Sequence, residues 1–285
     1  MYRGLAFFLV IAGLGFQSMF GQPPKREFRG VWVATVANID WPSVPGLSTF
    51  EQQEEIIEII EQHKRNGSNA IILQVRPTAD ALYSSELEPW SRFLSGEQGM
   101  APEPFYDPLE YWIRESHKRG MELHAWLNPY RINLDTNDVL SPEHIIHKHP
   151  EWLFTYGGRS YFSPANPEVW DFVRDVVVDV VRRYDVDAIH FDDYFYPYLI
   201  ENQALPDSLD FVNFGGDYYP DRLEAWRRHN VDTIIATLGA AIKAEKAWVK
   251  FGISPFGVWR NRSEDERGSE TTAGTSNYDG LYADV

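Results

Sequence analysis

The chain contains no cysteine among its 285 residues. Disulfides, cysteine-ligated metals and a lipid-modified N-terminal cysteine are therefore excluded. Positive charge is scarce as well. Lys and Arg number 26 against 42 Asp and Glu, a formal net charge of −16. Binding a phosphate backbone needs a basic face, so no nucleic-acid partner is expected, and the surplus of carboxylates serves solubility. No GxGxxG or GxxxxGK[ST] follows any apolar run, which removes the signature of the nucleotide-binding doubly wound folds.

Long hydrophobic runs are also lacking. The apolar stretch Leu5 to Phe16 falls short of the roughly 20 residues that a membrane span needs. With Arg3 before it and small residues from Ser18 to Gly21, residues 1–21 read as an export signal cleaved near Gln22. An uncleaved anchor is the alternative. The mature protein is expected in a periplasmic or extracellular compartment, without a stable membrane span.

The chain is rich in apolar and aromatic residues: 44% hydrophobic and 15% aromatic, with 10 Trp, 15 Tyr and 17 Phe. That is ample for one large core, and the length fits one α/β barrel or two smaller domains. Most of these rings belong to a core; the rest are available to stack on sugar faces.

From Arg29 onward, strand-like and helix-like segments alternate. Gly30 to Val36 is rich in β-formers and predicts a first strand, and Phe50 to Asn66 predicts a helix. There Ile56, Ile57, Ile59 and Ile60 share one broad face, the acids between Glu51 and Glu61 form the wet one, and Gly67 stands at the C-cap. Ala70 to Arg76 is a second strand stopped by Pro77. Asp107-Pro108 opens a helix to Arg119 with an N-cap acid and a first-turn proline. Glu122 to Asn128 is a third strand ended by Pro129. A long connection, roughly 132–165, leads to Asn166-Pro167 and a helix with Trp170, Val173, Val176, Val177, Val180 and Val181 at helical spacing. Its His144–His149 segment reads as a solvated loop. A fourth strand from Asp187, a helix over about Pro220 to Ala244, and a fifth strand from Val249 to Pro255 follow. Residues 260–277 lack periodicity and read as a loop.

Five β-then-α units with near-continuous apolar strands predict a parallel sheet covered by helices. The expected fold is a (β/α)8 TIM barrel. Five strands do not close one, and the chain stops at Tyr282–Val285 just after a further helix-like start. We therefore read 26–285 as the N-terminal part of a barrel domain, with three more units, about 100 residues, expected beyond it.

The fourth strand is the chemically unusual one. Asp187-Ala-Ile-His-Phe-Asp-Asp-Tyr-Phe-Tyr-Pro197 begins as an alternating strand and ends in paired carboxylates and three aromatics. Ionised carboxylates are costly to bury, but paired acids at the mouth of a sugar cleft are what glycoside hydrolysis uses. Side chains alternate across a strand. The mixed set Gln74, Arg76, His124, Asn128, His190, Asp192 and Ser254 should face the barrel interior, and the apolar set the helices. Asp192 then faces inward and Asp193 becomes a rim or supporting group.

The motifs Arg26 to Val33, Asn38 to Pro42, Gln74 to Pro77, Ala79 to Tyr83, Ala125 to Arg131, His190 to Pro197 and Gly252 to Gly257 resemble, as a set and in order, the glycosyl-hydrolase-like family 10. The resemblance implies an exported TIM-barrel glycosidase acting on a poly- or oligosaccharide. For some members it implies bacterial cell-wall glycan strands that have lost their peptides. It implies no cofactor and no metal. It makes Asp192 the first choice for nucleophile or charge-stabilising carboxylate, with Asp193 second, and Asp80 or Asp40 as partner acids. Arg76, Asn128, Tyr130, Arg131 and Tyr194, with His190, would bind substrate; Trp41, Tyr83 and Trp259 would be stacking platforms. Two arginines at the mouth point to an acidic sugar, or hold Asp192 ionised by charge pairing.

Two other classes compete. A metal-dependent carbohydrate hydrolase, such as a deacetylase, could use His124, His190, Asp192 and Asp193 as ligands, although no HxxEH or HExxH pairing occurs. An inactive glycan-binding barrel would keep the aromatic platforms without a perturbed acid.

Overall fold

The computed structural model describes residues 27–284, so the export signal expected over 1–21 lies outside the described residues. Strands β1 (Gly30–Val33), β2 (Ala70–Arg76), β3 (Glu122–Leu127), β6 (Ala188–Phe191) and β7 (Lys250–Ile253) form one parallel sheet in the order β1-β2-β3-β6-β7. A separate antiparallel hairpin joins β4 (Leu153–Tyr156) to β5 (Arg159–Phe162). Neighbours in the large sheet are neighbours in sequence apart from this hairpin. That is the arc of a (β/α) barrel.

The helices follow from local chemistry. Helix α1 (Thr49–Arg65) starts at a capping box, with the Ser48 hydroxyl taking the Glu51 N–H and the Glu51 carboxylate returning to Ser48. It is followed by Gly67 at φ +86°, a conformation that favours glycine. After the short α2 (Arg92–Ser95), α3 (Pro108–His117) and α4 (Pro167–Arg183) are capped by Asp107 and Asn166, each followed by proline. Helix α6 (Leu223–Glu245) covers the sheet beside α4. The short helices α5 (Ser208–Phe214) and α7 (Asn277–Gly280) complete the set.

One core holds the layers together. Ile71, Leu73 and Val75 of β2, Leu123, Ala125 and Leu127 of β3, and Ile189 and Phe191 of β6 pack with Ile56 and Ile60, Trp112, Val173, Val177 and Val180, and Ile234 and Leu238. These are the apolar sets of the strands. On α4 the buried stripe runs from Val169 through Val181, with Trp170 at its margin.

Three expectations change. The first strand ends at Val33, not Val36, because Gln74 Oε1 takes the N–H groups of Thr35 and Val36 at 3.0 and 2.9 Å and turns the chain out of the ladder. The 132–165 connection contains the β4–β5 hairpin, which is zipped to residues 130–132 by Phe162 N–H to Tyr130 O and Ile132 N–H to Ser160 O. Helix α5 lies between the fourth parallel strand and α6, where the sequence predicts no helix. Among the described residues no helix is long and apolar enough to cross a membrane.

Candidate active site

Opposite the helices, the sheet presents a second face. The Trp32 ring meets Trp126 edge-on at 4.4 Å and His190 at 4.7 Å, so β1, β3 and β6 turn these residues to one side. His190 Nε2 pairs with Ser254 Oγ at 2.9 Å, bringing in the end of β7. Gly252 lies beside that imidazole: a Cβ there would sit 3.3 Å from His190 Nδ1, tighter than most contacts, so glycine suits the position. Burial, and then the nearby His124, lowers the His190 pKa to about 4 and keeps the ring neutral.

Asp192 is on this face. Its Oδ2 accepts the Trp126 indole N–H at 3.1 Å and its Oδ1 the Tyr194 backbone N–H at 3.0 Å. Burial pushes its pKa up to about 6, opposed by the Tyr194 N–H, the Arg131 charge and the Trp126 N–H, with Asp193 adding to the rise. Arg131 is held in place rather than free. Its backbone N–H donates to Asn128 Oδ1 at 3.0 Å, its Nε to Pro77 O at 3.1 Å, and its guanidinium lies 5.2 Å from the centre of the Tyr194 ring. Asp192, Arg131, Asn128 and Tyr194 are thus brought together, with Trp126 as a further member. Asp193 is half-buried and takes the hydroxyl of Tyr198.

Other residues singled out from the sequence lie elsewhere. The β2–β3 register shifts between Gln74 and Arg76. This bulge cancels the simple alternation for Arg76. Its guanidinium is buried against Glu88, with Nε to Oε2 at 2.7 Å, and also donates to Asn128 O and Pro129 O. Arg76 is a buried ion-pair residue in this structure and has no free donor face for a sugar. Asp80 is fully buried, accepting from Thr78 Oγ1 at 3.0 Å and Gln98 Nε2 at 3.1 Å. Burial raises its pKa to about 6 despite those two bonds. Asp40 is exposed and takes the Ala34 N–H at 2.8 Å, closing a turn.

The expected platforms are mostly core. Trp41 is fully buried, edge-on to Trp112 at 5.5 Å, with its N–H on Gln52 O. Tyr83 is buried against Tyr184, and Tyr130 is buried too. A ring enclosed by protein has no face left for a sugar. Trp259 is half-buried, with the Arg267 guanidinium 5.2 Å from its centre. The histidines do not gather: His124 turns to Glu122 and His190 to Ser254. His144, expected in a solvated loop, is buried, and burial holds its pKa down to about 4. Ligand-type side chains converge at His149, Glu151 and Glu168, whose ligand atoms lie within 4.8 Å of one another on the half-exposed outer surface.

Trp126 and Glu88 are the residues that sequence reasoning missed. Trp126 shares its parity with His124 and precedes Asn128, a signal available from alternation alone. Glu88 sits in an irregular segment 12 residues from Arg76, and nothing local marks it as the partner.

A parallel (β/α) barrel arc with a buried, donor-surrounded carboxylate at the C-terminal end of a strand is the arrangement in which barrel enzymes keep their chemistry. The chain belongs to the glycosyl hydrolase-like 10 family, whose model matches residues 27–285. It is 49% identical over 262 residues to the glycosyl hydrolase YngK of Bacillus subtilis, covering 91% of this chain and 51% of that protein. It is 39% identical over 281 residues to the glycosyl hydrolase DigH of Escherichia coli K12, covering 93% of this chain and 63% of that protein. The chain therefore spans about half to five-eighths of the length of these relatives. Among solved structures, an alpha-L-fucosidase (isoenzyme 2) from Paenibacillus thiaminolyticus is similar in fold, with a TM-score of 0.56 at 16% identity, over 84% of this chain and 34% of that one.

Proposed function

We propose that the protein is an exported glycoside hydrolase that cleaves glycosidic bonds of a polysaccharide, with Asp192 as the nucleophile or charge-stabilising carboxylate. The environment of Asp192 carries the reading. Its hydrogen-bond donors are an indole N–H and a backbone N–H, and the Arg131 charge is nearby, outweighing the opposing charge of Asp193 among its polar neighbours. Such a set favours the ionised form, while burial keeps the carboxylate poorly solvated and basic. Asp193 lies on the rim, where Tyr198 orients it. The reaction uses a second carboxyl across the scissile bond, at about 5–5.5 Å for retention of configuration or about 6.5–9.5 Å for inversion.

The substrate we favour carries carboxylates, as peptide-free bacterial cell-wall glycan does. Arg159 makes no salt bridge among the described residues, Arg131 faces only the charge of Asp192, and both act electrostatically on Tyr194 at the mouth. In this reading Arg159, exposed at the start of β5, is the second arginine that would meet an acidic sugar, in place of Arg76.

The test is product analysis by mass spectrometry after incubating the full-length protein with peptide-free peptidoglycan strands and a panel of other polysaccharides. Cleavage lost in Asp192→Asn supports the assignment. No cleavage across the panel refutes the glycosidase reading, and binding without turnover identifies a glycan-binding barrel instead.

A further inference from the structure

Two cavities bear on how a long substrate could be held. The larger, about 690 Å³, lies on the helix side of the sheet between α3 and α4. Its cations are already engaged, Arg114 and Lys118 with Glu115 and Arg183 with Asp179, and Lys118 and Asp185 in its lining lie just before β3 and β6, toward the N-terminal ends of the strands. The second, about 340 Å³, lies between Tyr198 and Leu199 on one side and the 261–280 segment on the other. Its size falls in the range of small-ligand sites.

Tyr198 connects this cavity to the site. Its hydroxyl holds Asp193, its ring packs 5.2 Å from Tyr194, and it also lines the cavity. The opposite wall is built of small residues, Ala273, Gly274, Thr275 and Ser276. A Cβ on Gly274 would meet nothing within 4 Å, so the space there is open. The wall is also fixed in place. Arg260 grips Asp279 through two bonds of 2.9 Å, Asn261 Oδ1 takes the Ala273 N–H at 3.1 Å and the Thr271 hydroxyl at 2.7 Å, and Asn277 Oδ1 takes the Phe256 N–H at 3.0 Å. A polar recess with tied-down walls is pre-organised for a ligand.

We propose that this recess is a subsite for a neutral sugar unit of the chain next to the one cleaved at Asp192. The assignment rests on the glycan-cleaving reading above and adds to it where the polymer lies. Glu264 and Asp279 line the recess, and Asp279 is matched by Arg260. The remaining carboxylate repels an anionic sugar and accepts hydrogen bonds from hydroxyl groups.

The test introduces Gly274→Tyr, which fills the recess from an exposed position, and Glu264→Ala, which removes an acceptor without adding bulk. Binding of peptide-free peptidoglycan strands, fractionated into short and long, is measured by calorimetry on the full-length protein carrying Asp192→Asn. Hydrolysis of the same fractions is followed in the Asp192 background, with thermal denaturation as the check on folding. Gly274→Tyr should weaken binding of long strands at least tenfold and leave the shortest bound strand unchanged; Glu264→Ala should act in the same direction with a smaller effect. If wild type hydrolyses nothing while Gly274→Tyr still weakens long-strand binding, the hydrolase reading fails and the subsite stands. Equal long-strand binding by wild type and both folded variants, or no binding of any strand, overturns the subsite.

Discussion

Replacing Trp126 with Phe isolates one interaction at Asp192. The substitution keeps an aromatic ring against Trp32 and deletes the indole N–H that lies 3.1 Å from Asp192 Oδ2. A hydrogen bond to a charged group contributes about 1.5–3 kcal/mol, and one pKa unit corresponds to about 1.36 kcal/mol. The Tyr194 N–H and Arg131 outrank Trp126 among the groups that hold the Asp192 pKa down, so the lower end applies, about one unit. The carboxyl, at about 6 in the native protein, should then titrate near about 7. If the ionised form is the active one, the acid limb of the pH–rate profile moves up by that unit. Activity at pH 6 falls from about half of its plateau to about a tenth, while activity near pH 8.5 is nearly intact. The smaller ring has a competing consequence: water entering the vacated space would solvate the carboxylate and lower its pKa. The direction of the shift therefore decides the matter. A profile of kcat/KM against pH whose acid limb stays in place, or moves down, refutes the assignment of Trp126 as one of the groups that keep Asp192 ionised.

Arg76→Ala should cost about 3–5 kcal/mol of stability by leaving Glu88 buried and unpaired, and the double change Arg76→Met with Glu88→Leu should recover most of it. Urea denaturation measures both, and an Arg76→Ala protein of native stability with only a raised KM would return Arg76 to substrate binding. Asp80 has a folded pKa near 6, above its ordinary value of 3.8, so stability is fully present below about pH 4 and is lost as pH rises through about 6, on the order of 3 kcal/mol. Asp80→Asn removes that dependence. Its stability relative to wild type should be greater at pH 7.5 than at pH 4.5, and an equal difference at the two pH values contradicts the buried-acid account. Trp41→Ala should lower stability by about 3–5 kcal/mol, read as a fall in Tm; a folded variant with unchanged Tm and weakened glycan binding would make Trp41 a sugar platform after all. Asp192→Asn should abolish turnover where Asp193→Asn only reduces it, and full activity in Asp192→Asn overturns the inward-facing assignment.

The sequence alone determined the succession of the five parallel strands and of the long helices α1, α3, α4 and α6, because those signals act over a few residues. Ser48 with Glu51, Asp107-Pro108 and Asn166-Pro167 satisfy the first N–H groups of their own helices. The limits of β2 follow from its apolar run and Pro77. Alternation likewise gave Asp192 the same face as Trp126 and His190, since neighbouring side chains on any regular strand point to opposite sides.

Only the tertiary structure decided which polar groups were available. The bulge after Gln74 redirects Arg76, and an irregular loop supplies Glu88 to neutralise it. Trp41 and Tyr83 read as ring platforms in a motif, but Trp112 and Tyr184 enclose them. Asp80, a plausible acid by position, is closed in by Thr78 and Gln98. Burial and hydrogen-bond partnership depend on what packs from distant parts of the chain, and no periodicity within a segment encodes them. For the same reason the pKa of Asp192 became legible only once Trp126, Tyr194 and Arg131 had converged on one carboxylate.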